Sequence, residues 1–404
     1  MLRSTQKFLD RLAYGLLALF ALDRFLKLAA VMHFFRRPPP PLPAHWPTVT
    51  LLQPITRGAS SLYASLRSRA RLDYPAAVQH LLICDARDNE TQALVTTFLA
   101  EFPELHASII TVDSASDKAV ATKITKLQAA LPQATGDVLC FVDDDVALRP
   151  RTLQILLPYL FQPGVGVAFG LPCFTNWQTI WSSLVSGLIN AQMLLNFVAL
   201  TYITRPIRIN GHIYAFRRDI FRAIGGLDGL EHTIDDEYEI ARRVRSHKLH
   251  AAQTPLVYEI DNALHSRKAY IVQFKRWFVM PRQAMLPSLS AKERTIASIT
   301  SVTFPLPSMI ALLALCTGRR SAWISLAACL ALFGTVYALC EKRYLKRQTP
   351  LYRWPLLPIV ALWTPLQIIW TLLLSNEVEW RGQRLRLLRD GTVEIMPPQS
   401  STPA

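Results

Sequence analysis

Residues Val138–Val142 (VLCFV) run directly into three acids, Asp143, Asp144 and Asp145. Five consecutive apolar residues of this kind are typical of a buried strand in a parallel sheet. The acids therefore fall at the carboxyl end of a strand, where open α/β sheets bind ligands. The carboxylates of Asp143 and Asp145 suit Mg²⁺ or Mn²⁺ on a diphosphate, because these hard cations take oxygen ligands and leave room for phosphate oxygens. A solvated acidic turn before the next helix is the alternative interpretation.

Short β-rich runs alternate with helical stretches around this strand. This order predicts an α/β domain with a central, mostly parallel sheet covered by helices. The predicted strands are residues 48–53, 80–84, 107–112, 138–142, 165–169 and 213–216.

Two further acidic clusters follow predicted elements. Asp85 and Asp88 come after the second strand, and two acidic strand ends in one sheet favour a nucleotide site over a helix cap before the next helix. The third cluster, Asp235, Asp236 and Glu237, precedes a helical pattern, so its acids lie in the first turn of a helix. Acids are favoured there by the helix dipole alone, and capping remains the alternative.

The composition points to a membrane protein that handles anionic ligands. The chain has 404 residues, 51% of them hydrophobic, and a net charge of +15. This charge indicates phosphate-rich ligands or an anionic membrane surface. Nucleic acid is disfavoured because no basic stripe with interleaved aromatic residues occurs. The six cysteines show no paired or metal-binding spacing, which indicates a reducing, cytosol-facing compartment.

The N-terminal part is predicted to associate with the membrane. Residues 8–35 are apolar but interrupted by charges, and the uninterrupted run, residues 12–22, is about half the length of a span. No signal-peptide cleavage site follows, so the segment is expected to stay attached. The basic exit at Arg36 and Arg37 predicts a cytoplasmic side. Residues 177–204 contain no Asp, Glu, Lys or Arg. This long apolar stretch predicts either a helix pair at the membrane surface or a buried core helix.

Near the C-terminus, residues 299–317 and 321–340 lack charges and are long enough to cross a bilayer. Basic residues within 342–353 place the following loop in the cytoplasm. The next apolar segment, residues 355–374, contains Pro365. We expect this segment to re-enter the membrane or lie in its interface, broken at that proline.

A Gln-x-x-Arg-Trp motif at Gln273, Arg276 and Trp277 follows the three acidic clusters. In this order, and with this membrane tail, the chain resembles the inverting membrane glycosyltransferases with a GT-A catalytic domain, and most closely the ceramide glucosyltransferases. The resemblance covers about residues 46–395. The other matching positions are residues 51–54, 72–75, 123–124, 170–172, 225–227 and 380–382.

The resemblance implies an integral membrane enzyme with its catalytic domain facing the cytoplasm. It would transfer one sugar from a UDP-sugar to ceramide or a similar lipid alcohol with inversion, as in glycosphingolipid synthesis. The implied parts are an N-terminal membrane-associated helix (1–37), a GT-A nucleotide-sugar-binding domain (45–270), an interface helix region with the Gln-x-x-Arg-Trp motif (271–295), membrane helices (296–375) and a cytosolic tail (376–404).

The resemblance also implies roles for the clusters. Asp85 and Asp88 would hold the uracil and ribose side of the donor, and the Asp143–Asp145 triplet would bind Mg²⁺ or Mn²⁺ and the diphosphate, with Asp143 and Asp145 as metal ligands and Asp144 contacting the donor.

The third cluster would supply the base for the acceptor hydroxyl. The family has Glu-Asp before its Tyr, whereas this chain has Asp236 and Glu237, so both stay candidates. Gln273, Arg276 and Trp277 would bind the donor, with Arg276 as a clamp on diphosphate and Trp277 as a wall for the acceptor.

Two other functions are compatible with the sequence. A processive polysaccharide synthase would share these acids and the Gln-x-x-Arg-Trp motif, but it needs a channel built from more spanning helices. A catalytically silent membrane protein that binds anionic lipid would explain the charge, yet not three filled acidic clusters.

Overall fold

The computed structural model describes residues 2–56, 61–113, 122–233, 235–380, 383–388 and 392–396. The chain forms two compact units. The sheet unit comprises residues 38–173, 204–263 and 383–404, and the helical unit comprises residues 1–37, 174–203 and 264–382. Of the predicted tail motif, Arg381 and Gly382 lie outside the described residues.

Helices and strands alternate in the sheet unit, whereas the helical unit consists mainly of helices. In chain order the helices are α1 (Leu2–Arg36), α2 (Leu62–Arg69), α3 (Asn89–Glu101), α4 (Thr122–Ala130), α5 (Thr152–Leu160), α6 (Ile180–Met193), α7 (Arg218–Ala223), α8 (Asp236–Ser246), α9 (Arg267–Met280), α10 (Leu286–Ser288), α11 (Ala291–Ser301), α12 (Leu306–Thr317), α13 (Arg320–Cys340) and α14 (Leu356–Leu373). The strands are β1 (Val49–Pro54), β2 (Val78–Asp85), β3 (Ala107–Val112), β4 (Val138–Val142), β5 (Val146–Ala147), β6 (Val165–Phe174), β7 (Ile213–Arg217), β8 (His250–Ile260), β9 (Glu377–Trp380), β10 (Gln383–Leu387) and β11 (Val393–Ile395).

The central sheet has the strand order β3-β2-β1-β4-β7-β6-β8-β5. The first four strands in this order pair in parallel, whereas β7 pairs antiparallel with β4 and β6, and β5 pairs antiparallel with β8. The predicted α/β class with GT-A architecture is confirmed. The description as mostly parallel applies to the first half of the sheet only, because apolar runs report burial and not strand direction.

Successive side chains of the parallel strands pack alternately into two hydrophobic cores, one on each face of the sheet. Leu81 and Ile83 of β2 pack in one cluster with Phe141 of β4, while Leu82 and Cys84 pack in another beneath α2 and α3. This is the period of two expected of a strand buried on both faces.

Gly136 allows β4 to start against β1. A Cβ atom at this position would lie 2.6 Å from the carbonyl carbon of Val49, and it would also meet the backbone nitrogen of Thr50. Both neighbours are backbone atoms of a buried strand, so they cannot move aside. Glycine is therefore required for this close approach.

Strand direction brings the acidic strand ends to one edge of the sheet. The carboxyl ends of β2, β1 and β4 lie at the same edge because these strands are parallel. Since β7 runs the opposite way beside β4, with Ile213 opposite Val142, its preceding residues Gly211 and His212 reach that edge too. Two strand spacings separate β2 from β4, which corresponds to about 10 Å.

In the helical unit, the apolar stretch at residues 177–204 forms one helix. Helix α6 continues through a π-helical turn at Leu194–Val198, so the predicted helix pair is wrong and the alternative of a buried helix fits better. No breaker divides the stretch, and its polar side chains are paired. Buried Asn190, for example, accepts from the backbone N–H of Phe174 at 2.8 Å and donates to its carbonyl at 2.9 Å.

Two helices among the described residues are long and apolar enough to span a membrane, Arg320–Leu345 and Leu351–Leu373. A bent pair, Ala291–Ser301 with Leu306–Thr317, gives a third candidate if it counts as one span. The predicted segment at 299–317 therefore comprises the end of α11 and the whole of α12, and it is not one straight helix. The chain bends by 47° before α12, where Pro305 lacks the N–H group that would continue the helix.

Helix α14 runs unbroken through Pro365, so the predicted break at this proline is wrong. The Ser308 hydroxyl donates at 2.7 Å to the carbonyl of Leu362, in the turn before the proline. Leu362 is adjacent to Ala361, whose carbonyl loses its helical N–H donor at Pro365, so a neighbouring helix supports the backbone at this point.

Candidate active site

The acids that follow β4 contact a lysine. Lys123 of α4 lies 2.7 Å from Asp143 Oδ1 and donates at 3.2 Å to the carbonyl of Gly211. Although burial opposes it, the charges of Asp143 and then Asp236 raise the pKa of Lys123 well above its ordinary value. Lys123 is therefore a fixed positive charge between two acidic clusters.

The next two acids differ in their partners. Asp144 Oδ2 accepts from the backbone N–H of Thr56 at 2.5 Å, which ties the triplet to the end of β1. Asp145 Oδ1 is buried and has no hydrogen-bond partner. Burial, followed by the charges of Asp143 and Asp144, raises the pKa of Asp145 well above its usual value. The alternative of a solvated acidic turn does not fit Asp145, because its Oδ1 atom is buried.

The third cluster opens α8. Asp235 is the N-cap and accepts from the backbone N–H of Tyr238 at 3.1 Å. Arg208 forms ion pairs with Asp235, at 3.3 Å, and with Glu237. Although burial opposes it, the charge of Arg208 lowers the pKa of Glu237 to about 2. Glu237 is thus held as an ion-paired carboxylate.

Asp236 has a different environment from Glu237. Its Oδ2 is buried without a hydrogen-bond partner. Burial raises the pKa of Asp236 to about 6, against the attraction of Lys123. A carboxylate with a free oxygen and a pKa near neutrality is the state that general-base chemistry requires.

Gly211 leaves room for the Glu237 side chain. A Cβ atom at residue 211 would overlap the Glu237 side chain. The neighbouring His212 accepts through its carbonyl from the Asp143 N–H at 3.0 Å, so the loop before β7 contacts both clusters. Burial lowers the pKa of the His212 imidazole, which is therefore neutral at physiological pH.

The first acidic cluster divides into a buried residue and a cap. Asp85 is 7% exposed at the end of β2, and its Oδ1 accepts from the Arg87 N–H at 2.9 Å. Asp88 caps α3 by accepting from the Thr91 N–H at 3.1 Å and from the Thr91 hydroxyl at 2.6 Å. The helix-cap alternative thus accounts for Asp88. Donor binding by Asp85 and Asp88 stays a prediction.

The fit of a divalent cation rests on the free carboxylate oxygens. No group of three or more His, Cys, Asp or Glu side chains that could hold a metal ion occurs in the described part of the chain. Asp143 and Asp145 provide two carboxylates, and Asp145 Oδ1 lacks a partner. This donor set fits a hard cation whose other ligands are phosphate oxygens and water, as Mg²⁺ commonly takes.

The sequence matches a known family over nearly its whole length. The family model described as glycosyl transferase family 21 matches residues 15–393. The chain belongs to this family. Sugar transfer is therefore its class of reaction, and the resemblance to the ceramide glucosyltransferase family is confirmed at the level of the family.

Solved glycosyltransferases are similar in fold. The mannosyltransferase PcManGT from Pyrobaculum calidifontis, in complex with GDP-Man and Mn²⁺, is 17% identical, with a TM-score of 0.50 over 90% of this chain and 99% of that chain. More distant are GalNAc-T7 with UDP, GalNAc and Mn²⁺ (11% identity, TM-score 0.41, 63% of this chain and 55% of that one) and S. aureus TarS 1–349 with UDP-GlcNAc (9%, 0.38, 87% and 99%). At 17% identity the similarity to the mannosyltransferase supports the fold alone.

The Gln-x-x-Arg-Trp motif of this family 21 chain lies on α9 in the helical unit. Gln273, Arg276 and Trp277 occupy one face of the helix, since they are three and four residues apart. The Trp277 ring packs edge-on against Phe174, with 6.1 Å between ring centroids. Binding of the donor by these three residues stays a prediction.

Two residues of this candidate site, Lys123 and Arg208, have no predicted role. From the sequence, Lys123 is only one of the positions that match the family, and nothing singles out Arg208. Each lies far in the sequence from the residue that it contacts: Arg208 is 29 residues before Glu237, and Lys123 is 88 residues before Gly211. Both basic residues lie among many others in a chain with 44 lysines and arginines, so no local signal distinguishes them.

Proposed function

We propose that the chain transfers a single sugar from a UDP-sugar to ceramide or a similar membrane lipid alcohol, with inversion at the anomeric carbon. The observation that carries the proposal is the set of carboxylates around Lys123, in which Asp145 and Asp236 each keep one buried oxygen without a partner. Buried polar groups are nearly always hydrogen-bonded, and exceptions concentrate at functional sites. Membership of family 21 supports sugar transfer as that function.

The proposed donor site uses the edge of the sheet. Asp85 would contact the uridine side, and Asp143 and Asp145 would hold Mg²⁺ or Mn²⁺. When bound, the cation would neutralise the charge that grows on the diphosphate as UDP leaves. Lys123 keeps Asp143 in place through their ion pair. Asp144 secures the loop after β1 through the Thr56 N–H, and with it the edge on which the donor lies.

Asp236 is the proposed general base. In a single displacement, its carboxylate takes the proton of the acceptor hydroxyl while that oxygen attacks the anomeric carbon opposite the leaving diphosphate, so one bond forms as the other breaks and the configuration inverts. Glu237 is the weaker candidate because its pKa of about 2 makes it a poor proton acceptor. The ion pair of Glu237 with Arg208 suits it to positioning the loop instead.

The pH dependence of the reaction is expected to reflect Asp236. A base with a pKa of about 6 is protonated, and inactive, below that pH. We therefore expect kcat/KM to fall tenfold per pH unit as the pH drops below about 6, and to be flat above it. Initial rates between pH 5 and 8, with a stability check at each pH, test this. A profile that stays flat down to pH 5 would favour Glu237, because its carboxylate would still be ionised.

Lipid analysis tests the overall reaction. Membranes from a host that lacks glycosylated sphingolipids, with and without the expressed chain, should differ in a monoglycosylated ceramide or related lipid when UDP-sugar is supplied. Mass spectrometry reports the sugar and the acceptor together. A labelled product that stays behind after lipid extraction would instead identify a polymer and contradict the proposal.

The proposed orientation places the sheet unit in the cytoplasm, where UDP-sugars are made available to membrane enzymes. The basic residues after α13, Lys342 and Arg343, support it through the positive-inside rule. Labelling of single introduced cysteines in this loop by a membrane-impermeant reagent tests the orientation. Reaction from the outer side of intact cells would contradict it.

A further inference from the structure

The helical unit contains an apolar cavity of about 580 Å³. Its walls come from α1, α6, α9, the break between α11 and α12, and α14. Trp277 and Phe278 line it from α9, Leu188 and Ile189 from α6, and Ile368 and Leu372 from α14. A cavity of this size and lining suits a small amphiphile or part of a larger one.

One end of the cavity is polar and charged. Lys27 of α1 is 7% exposed, and its Nζ lies 3.0 Å from Asp23 Oδ1, 3.0 Å from Asn196 Oδ1 and 3.1 Å from the Thr300 carbonyl. Arg24, which is 2% exposed, pairs with Asp23 at 2.7 Å. Two cations and one carboxylate leave this end with a net charge of +1. Charged groups buried in an apolar helical assembly are costly and mark functional sites.

The hydrogen bonds at this end fix which groups can face a ligand. Lys27 can only donate, so Asn196 presents Oδ1 to it and Nδ2 on the other side. That nitrogen donates at 3.3 Å to Gln192 Oε1, which leaves Gln192 Nε2 as a donor. Gln192, Asn196, Lys27 and Arg24 all line the cavity. The polar end therefore offers N–H groups and positive charge, and it is complementary to oxygen atoms that accept hydrogen bonds.

We propose that this cavity binds the acceptor lipid. The hydrocarbon chain of the lipid lies along the apolar walls, and its amide carbonyl or hydroxyl oxygens contact Gln192 and Asn196. The proposal rests on the proposed function, because it assigns a site to the acceptor of that reaction. Trp277 of the Gln-x-x-Arg-Trp motif is one of the lining residues. The ligand class is a neutral lipid alcohol with an oxygen-bearing linkage next to its chains, as in ceramide.

Filling the cavity tests the assignment. Ile189→Trp and Ile368→Trp each place a large ring in it from a different helix. Leu366→Trp is the matched control, since Leu366 is on the same helix as Ile368, is 49% exposed and does not line the cavity. The full chain is reconstituted in phosphatidylcholine nanodiscs. Both filling variants should raise the KM for a long-chain ceramide at least tenfold and leave the KM for the UDP-sugar within twofold, whereas the control should change neither.

Removing the amide of Gln192 tests the polar end. Gln192→Leu keeps the size of the side chain and deletes the donor, so the ceramide KM should rise about tenfold, the value of one hydrogen bond to a neutral oxygen. Short-chain and long-chain ceramides should be affected alike, because the oxygen contact does not depend on chain length. The filling variants, in contrast, should affect long chains more than short ones.

Photolabelling gives a readout that does not need turnover. A ceramide with a photoreactive group in its acyl chain should label peptides from α6 and α14 in the wild-type chain, and unlabelled ceramide should displace it. If both filling variants are active and keep the acceptor KM of the wild-type chain, the proposal is overturned. Labelling that phosphatidylcholine, but not ceramide, displaces would also overturn it, because the occupant would then be a bilayer lipid. Labelling without any transfer would overturn the proposed function while supporting a lipid site, so the two failures are distinguishable.

Discussion

Asp143→Asn and Asp145→Asn are each expected to reduce kcat by about a thousandfold. Losses of this size are typical when one group that stabilises the charge of a transition state is removed. Both substitutions remove a negative charge from the proposed cation and diphosphate site, and neither adds bulk. Their effects on stability should differ in sign. Asp143 is ion-paired with Lys123, whereas Asp145 Oδ1 is buried without a partner.

The difference follows from the local charges. Asp145 has a pKa raised well above its usual value by burial and by like charges, so its ionised form destabilises the fold above that usual value. Asparagine is neutral, and Asp145→Asn should keep or raise the Tm. Asp143→Asn leaves Lys123 without its closest carboxylate and should lower the Tm by about 2 to 4 °C, as expected for the loss of about 1 kcal/mol.

Thermal unfolding of the purified variants, measured with and without Mn²⁺ and UDP, reports both effects. Mn²⁺ with UDP should stabilise the wild type and neither variant. Asp219→Asn is the control, because Asp219 is 69% exposed and pairs on the surface with Arg217. Normal turnover in both site variants, or loss of the folded state in Asp145→Asn, would contradict the assignment of Asp143 and Asp145.

Much of the sheet unit could be predicted from local sequence. The strands at 107–112 and 138–142 have the predicted bounds, because a run of β-branched and apolar residues that ends in polar residues marks a buried strand and its limits. The acidic residues after β2 and β4 lie at one edge of the sheet as predicted, since that placement follows from parallel strands alone.

Other features depend on contacts between distant parts of the chain. Strand β5 has two residues, too few to give a pattern, and it exists because it pairs with β8. The π-helical turn after α6 and the unbroken course of α14 through Pro365 depend on neighbouring helices. The pairing of Arg208 with Glu237, which separates the roles of the two candidate bases, is equally non-local.

The comparison of Asp236→Asn with Glu237→Gln decides the general base. We expect Asp236→Asn to lower kcat by 10²-fold or more, in the range of general acid–base contributions, with the Kd for UDP unchanged. Asp236 Oδ2 has no hydrogen-bond partner, so the substitution breaks no hydrogen bond at that atom. Glu237→Gln should retain part of its activity but lose about 2 kcal/mol of stability, because Arg208 loses a charged hydrogen bond.

Two measurements separate these outcomes from simple misfolding. Calorimetric titration of UDP shows whether each variant keeps its donor site, and single-turnover rates report the chemical step without product release. Glu90→Gln, at an exposed position in the first turn of α3, is the matched control for Glu237→Gln. If Glu237→Gln binds UDP normally but does not turn over, while Asp236→Asn remains active, the base is Glu237. In that case Arg208 would have to release the Glu237 carboxylate when the acceptor binds, since an ion-paired carboxylate with a pKa of about 2 is a poor proton acceptor.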